Sequence, residues 1–273
     1  MSQDSEQTSI PPFYRLAQAP REILNALSFA PLLAIALRRQ GVSISYTGSP
    51  AAALLAGPSD LWLPSLGLRL DPRRIHSIHV PQEKMAPRVE IDFQLGTHRL
   101  DITIPAGRGG PDLLAPVIAR YATGETDARQ LAIARGELRP PFEMCPCCRE
   151  HAERRRAHPE KHPLLHIFSA AAEAGIRFHL DFRGVCWSLA GFFLPAAVIH
   201  EEGCLIIRDA NLATLRIDLA YAHCLMITPM RIDGELRAAL QVSDMLGEPL
   251  FTLTSAHTEQ LHAWRKLCQA YFG

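Results

Sequence analysis

Two short segments of this 273-residue chain are near copies of each other, and they constrain its fold more than any other feature. Leu68-Arg69-Leu70-Asp71 recurs as Leu215-Arg216-Ile217-Asp218, and a histidine follows each aspartate by five residues, at His76 and His223. After each motif come two alternating apolar stretches and a closing helix that ends near Tyr121 or Tyr271. A chain of this length divides naturally into two units of ordinary size, each able to bury a core. The expected organisation is a leader over 1–19, a first repeat lobe over 20–122, a linker over 123–162 and a second repeat lobe over 163–273.

Within each copy the period of the apolar residues sets the elements. Pro20 to Gln40 reads as one or two helices, with Ile23, Leu24, Leu27, Leu32, Leu33, Ile35 and Leu37 on the apolar face and Gly41 as the terminator. Strands are expected at Val42–Tyr46, Leu61–Leu63 and Ser77–Val80. Val89, Ile91, Phe93 and Leu95, then Leu100, Ile102 and Ile104, alternate on either side of Gly96-Thr97 as a hairpin does. A helix over Asp112–Ala122 closes the first copy.

The second copy opens at Pro163-Leu164-Leu165, a helix start with proline where its missing donor is not needed. Gly175 ends that helix, strands follow from Ile176 to Thr254, and His257–Tyr271 closes the copy with Leu261, Trp264, Leu267 and Cys268 facing inward. The fold class is α+β, a tandem duplication of an antiparallel β-meander flanked by helices.

Composition removes several classes of function. Formal net charge is zero and the pI is about 7.2, which gives no basic face for nucleic acid. Arg154-Arg155-Arg156 follows acidic residues and reads as a solvated helix face. Met1–Pro12 has neither a basic start nor an apolar run, and no stretch is long enough to span a bilayer, so a cytosolic location is expected. Seven cysteines, an odd number, argue against a disulfide framework there. Cys186, Cys204, Cys224 and Cys268 read as small buried hydrophobes. No G-x-S-x-G elbow and no P-loop is present, and Gly107-Arg108-Gly109-Gly110 reads as a turn before a helix.

The seam between the copies carries Cys145-Pro146-Cys147-Cys148, with His151, His158, His162 and His166 downstream. Cys145 and Cys148 have the spacing of a zinc knuckle, and with His158 and His162 they could complete a tetrahedral zinc site. Pro159 interrupts the helix on which those two histidines would share a face. The same cysteines also fit a redox pair, a thiolate presented to haem iron, or a reduced hinge without special chemistry.

Asn211-Leu212, Leu215 to Asp218, Asp233-Gly234, Leu240-Gln241-Val242-Ser243-Asp244, Gly247, Leu250 and Trp264-Arg265-Leu267 resemble the bacterial haem-utilisation proteins. These are the hemin-trafficking and hemin-degrading proteins and the related single-unit carriers. The resemblance covers most of 22–122 and 163–272 and implies a tandem sheet-and-helix fold. It also implies a haem held between the lobes, ligated by a histidine near the first helix of the second copy. His162 and then His166 occupy that stretch, although Pro163 and Leu164 stand where the family carries aromatics. Arg177, Arg183 and Arg208 are available for the propionates, Arg177 and Arg208 foremost.

The expected function is therefore haem binding and trafficking in iron acquisition, with haem or a related tetrapyrrole as cofactor and partner. The alternative is a zinc-binding regulatory or interaction protein on the same fold. Haem degradation would need an iron ligand and a reductant, which the residues alone do not supply. A homodimer is the oligomer expected; nucleic acid and membrane are not expected partners.

Overall fold

In the computed structural model the described residues are 12–27, 29–39, 41–48, 55–56, 61–63, 67–82, 87–94, 98–105, 110–136, 144–184, 186–210, 213–232 and 234–272. The first half runs β1 (Phe13–Leu16), α1 (Pro20–Leu27), β2 (Leu33–Arg39), β3 (Val42–Gly48), β4 (Leu55–Ala56), β5 (Leu61–Leu63) and β6 (Leu68–Leu70). It continues with β7 (Ile75–Pro81), β8 (Arg88–Phe93), β9 (His98–Thr103) and α2 (Gly110–Tyr121). Between the copies lie β10 (Ala122–Thr126), α3 (Ala128–Ala134) and α4 (Pro146–Ala157). The second half is α5 (Pro163–Glu173), β11 (Phe178–Arg183), β12 (Trp187–Phe193), β13 (Pro195–Glu201), β14 (Cys204–Asp209) and β15 (Ala213–Asp218). Then come β16 (Cys224–Ile232), β17 (Glu235–Ser243), β18 (Pro249–Ser255) and α6 (Leu261–Phe272).

The architecture is α+β and duplicated. A ten-stranded sheet runs β10-β1-β7-β8-β9-β2-β3-β15-β14-β13, and an eight-stranded sheet runs β16-β17-β18-β11-β12-β6-β5-β4. Each half builds the same five-strand antiparallel run, then sends its middle three strands into the other half's sheet. β6 pairs with β12, Leu70 opposite Trp187, and β15 pairs with β3, Ile217 opposite Val42. The repeated Leu-Arg-Leu/Ile-Asp motifs are these two exchanged strands. Their aspartates end in matching turns: Asp71 Oδ1 accepts the Arg73 N–H and Asp218 Oδ1 the Ala220 N–H, both at 3.0 Å. The Asp71 N–H donates to Cys186 and the Asp218 N–H to Gly41, again the same place in each copy. Buried residues of both halves form one contiguous core, so the sheets do not separate at the chain positions where the two copies meet.

Several local expectations are corrected. The helix expected to run to Gln40 stops at Leu27, and Leu33–Arg39 is a strand near the middle of the larger sheet. Leu33, Ile35 and Leu37 are buried while Ala34 and Ala36 are less so, a period of two that alanines had disguised as helical. Gly41 turns the β2–β3 hairpin at φ 74° instead of ending a helix, whereas Gly175 does follow α5, at φ 61°. The expected leader contains β1, with Phe13 and Leu16 buried. The expected linker is structured, with β10 paired to β1. The Gly96-Thr97 turn, Gly107-Arg108-Gly109, Asn211-Leu212 and Asp233 lie outside the described residues.

The helices form where apolar spacing lets one stripe face the sheets. α5 buries Leu164, Ile167, Phe168 and Ala171. In α6 the fully buried Trp264 meets Phe178 edge to face at 5.0 Å, and its indole N–H donates to the Ala238 carbonyl at 2.7 Å. No described helix is long and apolar enough to cross a membrane.

Candidate functional site

α4 is polar on nearly all sides, so burial of an apolar stripe cannot hold it in place; arginines do. Arg155 donates from Nε and Nη2 to the Leu219 and Ala220 carbonyls, both at 2.8 Å. Arg156 forms a bidentate pair with Asp218, its Nε 2.9 Å from Oδ1. The basic run expected to be a solvated face is thus in part an anchor; only Arg154, paired with Glu150 at 2.8 Å, is a surface pair. Anchoring α4 against the β15–β16 connection opens a cleft of about 340 Å³ between them. Its lining includes His151, His158, His162 and His223, with Arg154, Arg155 and Lys161, and no carboxylate among the described residues.

His162, the first choice for iron, is the N-cap of α5 and only 5% exposed. Its Nδ1 accepts the Leu164 N–H at 3.3 Å, which leaves Nε2–H to donate to the backbone of Ala222. Burial pushes its pKa down to about 4; the Ala222 bond opposes this and the nearby Arg155 charge adds to it. Both ring nitrogens are engaged, so this imidazole acts as a neutral cap. His166, one turn on, is exposed and does not line the cleft. Arg177 precedes β11 and Arg208 lies exposed on β14; neither lines the cleft.

His158, at the end of α4, is exposed, and its Nδ1 lies 3.2 Å from Glu160 Oε1. A carboxylate on one ring nitrogen orients an imidazole and raises the basicity of the other, the usual setting of a metal-ligating histidine. His223 faces the same cleft from the start of β16. Sequence spacing had marked His223 as half of the repeated Asp–His pair, but nothing in it showed that α4 would lie beside it.

Cys145, Cys148, His158 and His162 do not converge as the zinc reading requires. Cys148 and His158 are ten positions apart along α4, about 15 Å of axial rise, so these thiols sit at the opposite end of the helix from His158 and His162. The sulfurs that do converge are those of Cys145, Cys147 and Cys148, all within 4.8 Å of one another. Hydrogen bonding with Cys147 pulls the Cys145 thiol down to about 7, and bonding with Cys145 pushes Cys148 up to about 11. Cys224, expected in the core, is exposed on β16, while Cys186, Cys204 and Cys268 are buried.

A second cleft of about 340 Å³ lies under α3 and is lined by His76, His79, Asp92 and Arg135 among others. Here the charges satisfy each other: Arg135 reaches Glu90 at 2.6 Å and Asp92 at 2.8 Å, and His79 Nδ1 lies 3.1 Å from Asp92. A third cleft, about 510 Å³, is largely apolar and lined by Ile35, Leu37, Leu189 and Phe192, with His179 and Asp209.

This duplicated sheet-and-helix arrangement is the fold of the haem-utilisation proteins that the sequence resembles. No protein-family model and no curated protein matches the sequence. Among solved structures it is similar to apo-PhuS, a heme-binding protein from Pseudomonas aeruginosa, with TM-score 0.69 and 14% identity over 95% of this chain and 87% of that one. It is similar also to the heme degrading enzyme ChuS of Escherichia coli O157:H7, with TM-score 0.69 and 15% identity over 96% and 87%. Holo-PhuS gives 0.65 at 15% identity. At these identities the likeness is one of fold.

Proposed function

We propose that this chain is a cytosolic protein of iron acquisition that binds and hands on haem or a related tetrapyrrole, held by a histidine of the α4–α5 cleft. The observation that carries the reading is the cleft itself: four imidazoles and three cations with no lining carboxylate among the described residues, at the start of the second repeat, in a fold shared with PhuS and ChuS. The residues present suit the group. His158, steadied by Glu160 on Nδ1, presents Nε2 to iron. Arg154 and Lys161 supply the charge that propionates require, and Pro163, Ala222 and Leu225 give apolar contact. Bound haem would supply an exchangeable iron–imidazole bond; the protein orients the imidazole, neutralises the carboxylates and shields one edge of the ring.

Hemin titration should give a sharp Soret band saturating at about one haem per chain. His158→Ala should weaken or shift it, and His179→Ala, in the apolar cleft, should leave it unchanged. Loss of the band in His179→Ala with retention in His158→Ala would move the site to the apolar cleft and refute this assignment. Broad, unsaturating absorbance in wild type would refute haem binding itself.

A further inference from the structure

The N-terminal end of α4 carries a separate feature. Cys145 is the N-cap, extended at φ −60° and ψ 158°, and Pro146 opens the helix. Cys147 and Cys148 therefore fall in the first turn, and the cap side chain folds back over them. The three sulfurs lie within 4.8 Å of one another, those of Cys145 and Cys147 at 2.8 Å. Among the described residues no histidine or carboxylate joins them, and no other group of this kind occurs. Packing does not explain the cluster. A structural cysteine is normally a small buried hydrophobe, as Cys186, Cys204 and Cys268 are at 1%, 8% and 4% exposed, whereas Cys145 and Cys147 are exposed and Cys148 partly so. The positive end of a twelve-residue helix also favours thiolate over thiol.

We propose that Cys145, Cys147 and Cys148 form a three-thiolate site for univalent copper. Soft sulfur donors select soft ions. A structural zinc site needs four protein ligands, and among the described residues no imidazole or carboxylate joins the three sulfurs: His151, one turn along α4, is not part of the cluster, and His158 and His162 lie at the far end of the helix. Univalent copper, d¹⁰ and singly charged, is satisfied by three sulfurs in a plane. On binding, three S–H bonds break and three Cu–S bonds form. The protons pass to solvent, and copper stays at +1, so no electron acceptor is needed. The proposal is independent of the haem reading, because its ligands lie outside the cleft.

The test is an anaerobic titration of the reduced full chain with univalent copper against a chromophoric chelator. One copper per chain is expected, with only sulfur in its first coordination shell by X-ray absorption. Cys147→Ser should lower affinity about tenfold or more, since even indirect supports of a metal ligand are worth that much. Cys224→Ser, an exposed thiol elsewhere, should bind as wild type does, and the Cys147→Ser Soret titration should be unchanged. Undiminished copper affinity in Cys147→Ser, nitrogen in the first shell, or loss of copper in His158→Ala would overturn the proposal. The last two would reinstate a mixed cysteine–histidine site.

Discussion

His162 should make this protein's stability depend on pH across a defined window. Burial holds its folded pKa at about 4 against an ordinary value of 6.5, with Arg155 beside it and Lys161, His151, His158 and His223 around the same cleft. Above pH 6.5 the imidazole is neutral folded or unfolded and contributes no pH dependence. Between 6.5 and about 4 the unfolded chain takes up a proton that the folded chain refuses, so stability falls as pH falls. At 1.36 kcal/mol per unit, the whole window is worth about 3 kcal/mol. His162→Asn isolates this contribution, because asparagine retains an acceptor for the Leu164 N–H at the N-cap and does not titrate. Urea denaturation of both proteins at pH 7.5 and 4.5 gives four free energies. Wild type should lose about 2–3 kcal/mol more than the variant on acidification, whatever the variant's stability at pH 7.5. Equal losses would refute the reasoning, and would mean that the ring is protonated in the fold or that its cap bond is not formed.

Two further substitutions probe the framework. Arg135 is 8% exposed between Glu90 and Asp92 at 3% and 7%. Burial opposes ionisation of Asp92, yet its hydrogen bonds to His79 and Arg135 hold its pKa below the ordinary value. Arg135→Met should therefore take from two buried carboxylates the cation they share, leaving Arg88 on Glu90 and His79 on Asp92, and cost about 3 kcal/mol in denaturant at pH 7; a loss below about 1 kcal/mol would show that the network is solvated. Gly67 sits at φ 61°, and an added Cβ would lie 1.9 Å from the Ala190 carbonyl oxygen. Gly67→Ala should cost about 3 kcal/mol or more and loosen the β6–β12 exchange, visible as faster amide exchange at Ala190, whose N–H donates to the Gly67 carbonyl; an unchanged melting temperature would contradict that close approach.

The duplication and most strands were legible because a half-buried strand writes its exposure into the sequence at period two. β3, β5, β8 and β17 fall where alternation puts them. β2 was not legible, because in Leu33-Ala34-Ile35-Ala36-Leu37 the alanines are small enough for either a helix face or a strand. The exchange of middle strands was not legible either: local alternation shows that Leu68–Leu70 is extended, and nothing in it names Trp187–Leu189 as the partner. At the candidate site the histidines were visible as residues, but their roles depended on neighbours. His162 looked like the ligand and is a buried cap, whereas His158 owes its orientation to Glu160, two residues away.

Comparison of the two copies shows why any ligand site should be asymmetric. The repeated Asp–His pairs put His76 and His223 at corresponding ends of β7 and β16, and each borders a cleft of similar size. Over the first, α3 delivers Arg135 onto Glu90 and Asp92, so the cations and anions there consume one another. Beside the second, α4 spends Arg155 on backbone carbonyls and Arg156 on Asp218, and its lining has imidazoles and cations with no carboxylate among them. An external anion would compete with buried Glu90 and Asp92 for Arg135 in the first cleft, but in the second only with the exposed Glu150 and Glu160 that pair with Arg154 and His158. Both α3 and α4 belong to the segment between the copies, which has no counterpart elsewhere among the described residues. The duplicated sheets thus present two equivalent positions, and the unduplicated segment closes one with its own salt bridges and leaves the other open to a ligand.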